Sequence, residues 1–292
     1  MGLQSERIII VTGASRGVGK GSALALAAPG TTIYVTGRSR HEGETSPLPG
    51  TIDATAEEIN QRGGTGIAVC CDHADDQQVE ALIQQVIDEQ GRIDILVNNV
   101  FLVPDDLLDW KPFWQRPVQQ HWHAMIDIGL RAHYVASYYA APHMVAAGSG
   151  MIVNISSPGA RAYLHSTIYG IGKAGTDKMA HDMAKELREY NVAALALWPG
   201  IVKTERLAPA IATDQLPPEY DALKPGMETP EFPGRIIDAI ASEKDYMRFS
   251  GRSWWNSELG AELGVSDADG AQPSSYAAFM GEAAIPPEAM VK

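Results

Sequence analysis

Three groups of residues have the types and spacing to do chemistry. Tyr169 and Lys173 stand in Ile168-Tyr169-Gly170-Ile171-Gly172-Lys173, four apart and therefore on one face of a helix. A free tyrosine keeps its proton at neutral pH, with a pKa of roughly 10. A neighbouring ammonium would favour the phenolate and allow proton exchange with a carbonyl oxygen or an alcohol. Ser156-Ser157 end the preceding apolar run, and either hydroxyl could hold the same oxygen. The third group is Thr12-Gly13-Ala14-Ser15-Arg16-Gly17-Val18-Gly19, directly after the β-branched run at 8–11. Its G-x-x-x-G-x-G spacing makes a tight strand-to-helix turn, where backbone N–H groups and a helix N-terminus can approach a pyrophosphate. Taken singly each group is weak: Y-x-x-x-K also describes an exposed helix pair, and three glycines serve any tight turn.

The run at 32–36 ends in Gly37-Arg38, and no acid precedes Glu42 to meet an adenosine 2′-hydroxyl. Arg38 and Arg16 instead carry guanidinium groups suited to a 2′-phosphate, so NADP(H) is expected over NAD(H). Phe101, Leu102, Val103, Leu107, Leu108, Trp110, Phe113 and Trp114 crowd one segment, either packed on the body or forming an apolar substrate wall opposite Tyr163, Leu164 and His165. Few basic residues flank that expected pocket apart from Arg116 and Arg161. His121 and His123 are two apart, the wrong spacing for one helical face, so no metal site is expected.

These groups need a frame. Strands are expected at 8–11, 32–36, 65–71, 93–97, 151–156 and 192–198. Helices are expected at 21–28, 53–62, around 121–147 and 168–190, and at 233–242. Val79, Leu82, Ile83, Val86 and Ile87 mark one further amphipathic helix. The alternation argues for an α/β, doubly wound parallel sheet of the Rossmann type in a single domain spanning 1–292. Residues of about 5–205 would form the core, and 206–292 a substrate lid (207–230, with Leu216-Pro217-Pro218) and a C-terminal extension. The tail from 264 is unassigned, and Trp254 and Trp255 are expected to pack a final strand or a subunit contact. With 23 Lys+Arg against 36 Asp+Glu, the net charge of −13 lacks the basic footprint for nucleic acid. No apolar run approaches the ~20 residues of a membrane span, and 1–7 do not read as a signal peptide. Cys70 and Cys71 are expected in a buried strand, as packing, without a disulfide framework. A soluble, cytoplasmic protein is expected.

In this order the motifs resemble the short-chain dehydrogenase/reductase superfamily, and most of all its SDR family member 1 branch. The resemblance spans roughly 5–270 and rests on five further stretches. They are Leu96-Val97-Asn98-Asn99, Gly129-Leu130-Arg131-Ala132-His133-Tyr134, Ile155-Ser156-Ser157-Pro158-Gly159, Tyr169 to Lys173, and the run from Leu197-Trp198-Pro199-Gly200 to Thr204-Glu205. It implies an NADP(H)-dependent carbonyl reductase, reversible as an alcohol dehydrogenase, with Tyr169 as general acid/base and Lys173 tuning it while touching the nicotinamide ribose. Gly13, Ser15, Arg16, Gly17, Val18 and Gly19 would line the phosphates and adenosine, and Asp72 the adenine. Asn98 and Asn99 would lie beside the cofactor, and Pro199, Gly200, Val202 and Thr204 would grip the nicotinamide amide. A homodimer or homotetramer through the helices around 121–147 and 168–190 is also implied. A non-catalytic NADP(H)-binding regulator on the same fold is the rival reading, separable by cofactor-dependent absorbance change with a carbonyl panel.

Three departures stand out. The usual Asn-Asn-Ala-Gly reads Asn98-Asn99-Val100-Phe101. A proton-relaying helix asparagine is replaced by Gly129, which the same branch carries, implying a changed proton path rather than lost activity. The catalytic serine is ambiguous: thirteen residues back from Tyr169 lies Ser156, whereas strand register favours Ser157. The substrate is expected to be a lipophilic ketone, aldehyde or secondary alcohol, with a small anion held by Arg161 as the alternative.

Overall fold

The computed structural model describes residues 3, 6–216, 220–283 and 285–289. Pro217 and Pro218 of the expected lid lie outside them. The short β-branched runs form strands β1 (Arg7–Thr12), β2 (Thr31–Gly37), β3 (Thr65–Cys70), β4 (Ile95–Asn98), β5 (Gly150–Ile155), β6 (Val192–Trp198) and β7 (Ser253–Trp255). They build one parallel sheet in the order β3-β2-β1-β4-β5-β6-β7. Alternate residues of β1 face opposite layers. Ile9 and Val11 pack with Leu24, Ile59 and Ile236, and Ile8 and Ile10 with Val79, Val86 and Val135. One layer draws on α1 (Gly17–Ala25), α2 (Ile52–Gln61) and α8 (Phe232–Ser242); the other on α3 (Asp76–Gln90), α5 (Ala132–Ala147) and α6 (Thr167–Leu187). Strands buried on both faces explain why they read as continuous apolar runs. The shorter α4 (Val118–Trp122), α7 (Ala208–Ala212), α9 (Asn256–Leu263) and α10 (Ala277–Met280) complete the set.

Several boundaries differ from expectation for physical reasons. Helix α1 begins at Gly17, inside the glycine turn, and ends at Ala25. The single helix expected around 121–147 is α4, then a π-helical segment (His123–Arg131), then α5. Strand β5 stops at Ile155, leaving Ser156 and Ser157 beyond the sheet. Cys71 is buried just past β3, whereas Cys70 is exposed at its end, so the expected buried pair is corrected for Cys70: β3 is an edge strand. Trp254 and Trp255 do pack a final strand, β7, with Trp255 fully buried against Trp198. No helix among the described residues is long and apolar enough to cross a membrane.

Candidate active site

The strand order reverses between β1 and β4, the switch point where doubly wound sheets take their ligands. There a cavity of about 560 Å³ runs from the glycine turn past Arg38, Ser39 and Asp72 to Asn99, Phe101 and Thr204. Gly13 adopts φ +64°, and a Cβ there would stand 2.8 Å from Val100 Cα, so turn and β4 loop close tightly on each other. Asn99 fastens them. Its N–H donates to Thr12 Oγ1 at 2.9 Å, and its side-chain amide to the Thr12 and Gly13 carbonyls at 2.9 and 3.0 Å. Asn98 is instead fully buried, donating to Ser137 Oγ (2.8 Å) and Asn154 Oδ1 (3.0 Å), and ties β4 to β5 and α5 away from the cavity lining.

Ser15, Arg16, Gly17, Val18 and Gly19 line the cavity. The Arg16 guanidinium is already engaged with the Pro49 (3.0 Å) and Gly50 (2.7 Å) carbonyls and Ser39 Oγ (3.2 Å), holding the 39–50 loop against the turn. Arg38 faces Asp72 across 3.6 Å, both partly exposed, so the two expected adenosine-end residues are neighbours. At the start of α1, the Gly17 N–H donates to Glu205 Oε2 at 2.9 Å. Sequence reasoning gave Glu205 no role beyond its motif.

The Tyr169 end is buried. Ser166 accepts from the Tyr169 N–H (3.3 Å) and so starts α6 with the tyrosine in its first turn. Tyr169 and Lys173 are 8% and 7% exposed. Ser157 Oγ accepts from the Gly159 N–H (3.0 Å), and a Cβ on Gly159 would collide with Tyr169 Cε1 and stand 3.3 Å from Ser157 Oγ, so hydroxyl and ring are neighbours. Ser156 points elsewhere, donating to the Lys173 carbonyl (3.3 Å). Burial pushes Tyr169 up to about 12, opposed by the Ser157 hydroxyl, so the shift runs opposite to the one expected from a neighbouring ammonium. Lys173 Nζ lies 6.0 Å from the Tyr169 ring centroid and donates to the Ile155 carbonyl at 3.1 Å. Burial brings Lys173 down to about 8, opposed by the charge of Asp177.

The remaining expected residues fall into two sets. Thr204 lines the cavity. Pro199-Gly200 and Val202 are held from behind: Gly200 N–H donates to Glu228 Oε1 (2.8 Å), and Val202 pairs with Glu228 in a short parallel bridge. Glu228 is fully buried, accepts from Asn256 Nδ2 at 3.0 Å, and is pushed up to about 8 by desolvation. Tyr276 packs on Gly200 and donates to the Leu223 carbonyl at 2.7 Å. Neither Glu228 nor Tyr276 was foreseen, since both lie in segments without periodicity.

The aromatic segment also divides. Phe101, Val103 and Leu107 turn inward with Met125, Leu164 and Ile168 around Tyr169. Leu108, Trp110, Phe113 and Trp114 face solvent, Trp110 at 87% exposure, with its ring 5.8 Å from that of Tyr163. Buried Arg116 straps the segment to the opposite loop. Its guanidinium donates to the carbonyls of Asp106 (2.8 Å), Asp109 (2.6 Å), Lys111 (3.3 Å) and His165 (3.1 Å). Arg161 lies instead beside Arg252, Trp254 and Met280.

A doubly wound parallel sheet, a glycine turn at its switch point and a buried Tyr–Lys pair on one helix define a Rossmann-type protein. The short chain dehydrogenase family model matches residues 7–215. The chain is 38% identical over 278 residues to dehydrogenase/reductase SDR family member 1 of Mus musculus, covering 92% of this chain and 86% of the mouse protein. It is 34% identical to a 3-oxoacyl-[acyl-carrier-protein] reductase of Synechocystis over 69% of this chain and 76% of that protein. Among solved structures, a short chain dehydrogenase of Mycobacterium thermoresistibile superposes with a TM-score of 0.76 at 25% identity, covering 90% of this chain and 89% of the other. The chain belongs to the short-chain dehydrogenase family of oxidoreductases, which work with a nicotinamide cofactor.

Proposed function

We propose that the chain is an NADP(H)-dependent carbonyl reductase, reversible as an alcohol dehydrogenase, acting on lipophilic ketones, aldehydes or secondary alcohols. The observation that carries it is the placement of Ser157 Oγ beside the Tyr169 ring, where a Cβ on Gly159 would meet both, one helical turn from buried Lys173. The closed Gly13–Val100 cradle and the N–H groups at the start of α1 fit a dinucleotide. When bound, the nicotinamide supplies the hydride chemistry. The glycine turn and Ser15 would take the phosphates, Arg38 beside Asp72 the adenosine end, and Thr204 with Pro199, Gly200 and Val202 the nicotinamide amide. Arg16 would contribute through the loop it holds. In reduction, Tyr169 gives its proton to the carbonyl oxygen while the Ser157 hydroxyl orients that oxygen; in oxidation the proton returns to the tyrosine.

The apolar substrate class is supported by what surrounds Tyr169. Phe101, Leu107, Met125 and Leu164 present carbon, Arg116 is committed to backbone carbonyls, and Arg161 stands apart. A wall of this kind binds by area, at about 25 cal/mol per Å², so turnover is expected to be broad, favouring bulky ketones over acyl-carrier or phosphorylated substrates. Cytoplasmic residence and a homodimer or homotetramer belong to the same reading. The test is cofactor oxidation with a carbonyl panel, using NADPH and NADH in parallel. Turnover with lipophilic ketones and preference for NADPH support it; strict preference for a small anionic carbonyl refutes the substrate class.

A further inference from the structure

The lysine of the proposed pair rests on an aromatic ring. Lys173 Nζ lies over the face of Phe101, 4.7 Å from its centroid, while donating to the Ile155 carbonyl at 3.1 Å. The same ring meets Tyr169 edge to face at 6.1 Å between centroids. It also rests on Gly129: a Cβ there would stand 3.2 Å from Phe101 Cδ2 and Cε2, inside the optimal carbon separation of roughly 3.5–4.0 Å. The backbone before the ring is fixed as well, because His133 Nε2 donates to the Val100 carbonyl at 2.9 Å. Phe101 lines the dinucleotide cavity, whereas Tyr169 and Lys173 are buried beyond that lining.

We propose that Phe101 is a positioning residue for Lys173, its face holding the ammonium against the Ile155 carbonyl and its bulk excluding water there, with Gly129 admitting the ring and His133 fixing its approach. A cation is drawn to the negative face of an aromatic ring, and more strongly when both are desolvated. A buried ammonium otherwise needs more partners than one carbonyl. Other groups around Lys173 are accounted for. Asp177, one turn along α6, favours the charged form. His133, on α5, is kept neutral because burial drives it down to about 3. Tyr169 keeps its proton to about 12. Over the range in which Lys173 titrates, the ring is therefore the partner that a substitution can remove without altering a charge.

The importance of this role to turnover rests on the proposed function, but its test does not. The Lys173 ¹⁵Nζ resonance, assigned with Lys173→Arg, is titrated by NMR in the protein without cofactor. Phe101→Leu keeps apolar bulk and removes the π face, so the Lys173 midpoint is expected to fall by about one pH unit. Phe101→Met serves if the leucine variant folds poorly, and Phe101→Tyr, which restores the face, is expected to restore the midpoint. An unchanged midpoint in the leucine or methionine variant overturns the proposal, as does a tyrosine variant that shifts as far as leucine. Gly129→Ala is expected to cost less melting temperature in a Phe101→Ala background than in the unmodified chain. Equal cost would remove Gly129 from the account. A chain inactive on every carbonyl leaves these readouts intact, whereas an unchanged midpoint on Phe101→Leu in a chain that turns carbonyls over sinks this proposal alone.

Discussion

Two adjacent serines with different partners illustrate how single side chains divide the work. Ser157 lies beside the Tyr169 ring and accepts from the Gly159 N–H; Ser156 donates to the Lys173 carbonyl. Ser157→Ala is therefore expected to lower turnover roughly ten- to a hundredfold and, because it frees the buried Gly159 N–H, to cost about 1 kcal/mol of stability. Ser156→Ala should cost a similar stability, about 1 kcal/mol for the buried hydroxyl, with turnover nearly unchanged. Paired turnover and thermal-unfolding measurements decide, and equal turnover losses would defeat the assignment. Tyr169→Phe removes the proton donor, so turnover should fall at least about a hundredfold with cofactor affinity almost unchanged. Retained activity would mean another acid, with His165, whose ring lies 4.9 Å from that of Tyr169, the first to examine. At the other end, Arg38→Ala with Arg16→Ala should erase most preference for NADPH, since charge-assisted contacts are worth roughly 1.5–3 kcal/mol each. Equal affinity of the unmodified chain for NADPH and NADH, by titration calorimetry, would refute that preference. Because Arg16 also holds the Pro49 and Gly50 carbonyls, its single variant should loosen the 39–50 loop, seen as faster hydrogen exchange there.

At the scale of elements, the N-terminus of α1 carries an internal anion. Glu205 accepts from the Gly17 N–H, where the proposed site would take a pyrophosphate, so carboxylate and diphosphate are expected to compete for the same donor. Glu205→Gln should tighten NADPH binding roughly two- to fivefold, the range set by a charge at a helix end; an unchanged Kd means that both are accommodated. Much of this layer was legible in the sequence. The β-branched runs located β1, β2, β4, β5 and β6 to within two residues, because strands buried on both faces leave little room for polar interruption. The Tyr169–Lys173 spacing announced a shared helix face for the same reason that i and i+4 always do. The π-helical stretch was not legible. It packs against Phe101 at Gly129, a contact distant in sequence, and periodicity reports only neighbours along the chain. Likewise, that Asn98 binds Ser137 and Asn154 rather than facing the cavity follows from the pairing of β4 with β5, which no local pattern encodes.

On the whole-molecule scale, exposed Trp122, Tyr134, Tyr138 and Ile171 lie on the stretches expected to pair subunits, and light scattering at micromolar concentration should give a dimer or tetramer rather than a monomer. The C-terminal third bears on the site through one buried carboxyl. Glu228 holds the Gly200 N–H after β6, takes Asn256 from α9, and lies beneath the loop on which Tyr276 packs. Its folded pKa stands at about 8 against an ordinary 4.5, so the folded chain keeps a proton there that the unfolded chain releases between those values. The unfolded state then binds fewer protons, and stability falls as pH rises. The contribution is fully present below about 4.5 and lost as pH climbs to about 8. Glu228→Gln should remove that slope while keeping the acceptor for Gly200. The new amide N–H can be met by Asn256 Oδ1, which is buried without a partner, once the Asn256 amide turns over. Thermal unfolding at pH 5 and pH 8 is the measurement. The unmodified chain should lose more melting temperature than the variant between the two, and parallel losses would show that Glu228 ionises in the fold at its ordinary pKa. Cofactor affinity at pH 8 should then be higher in the variant than in the unmodified chain, because the Pro199–Gly200 turn no longer rests on a carboxylate forced to ionise out of water.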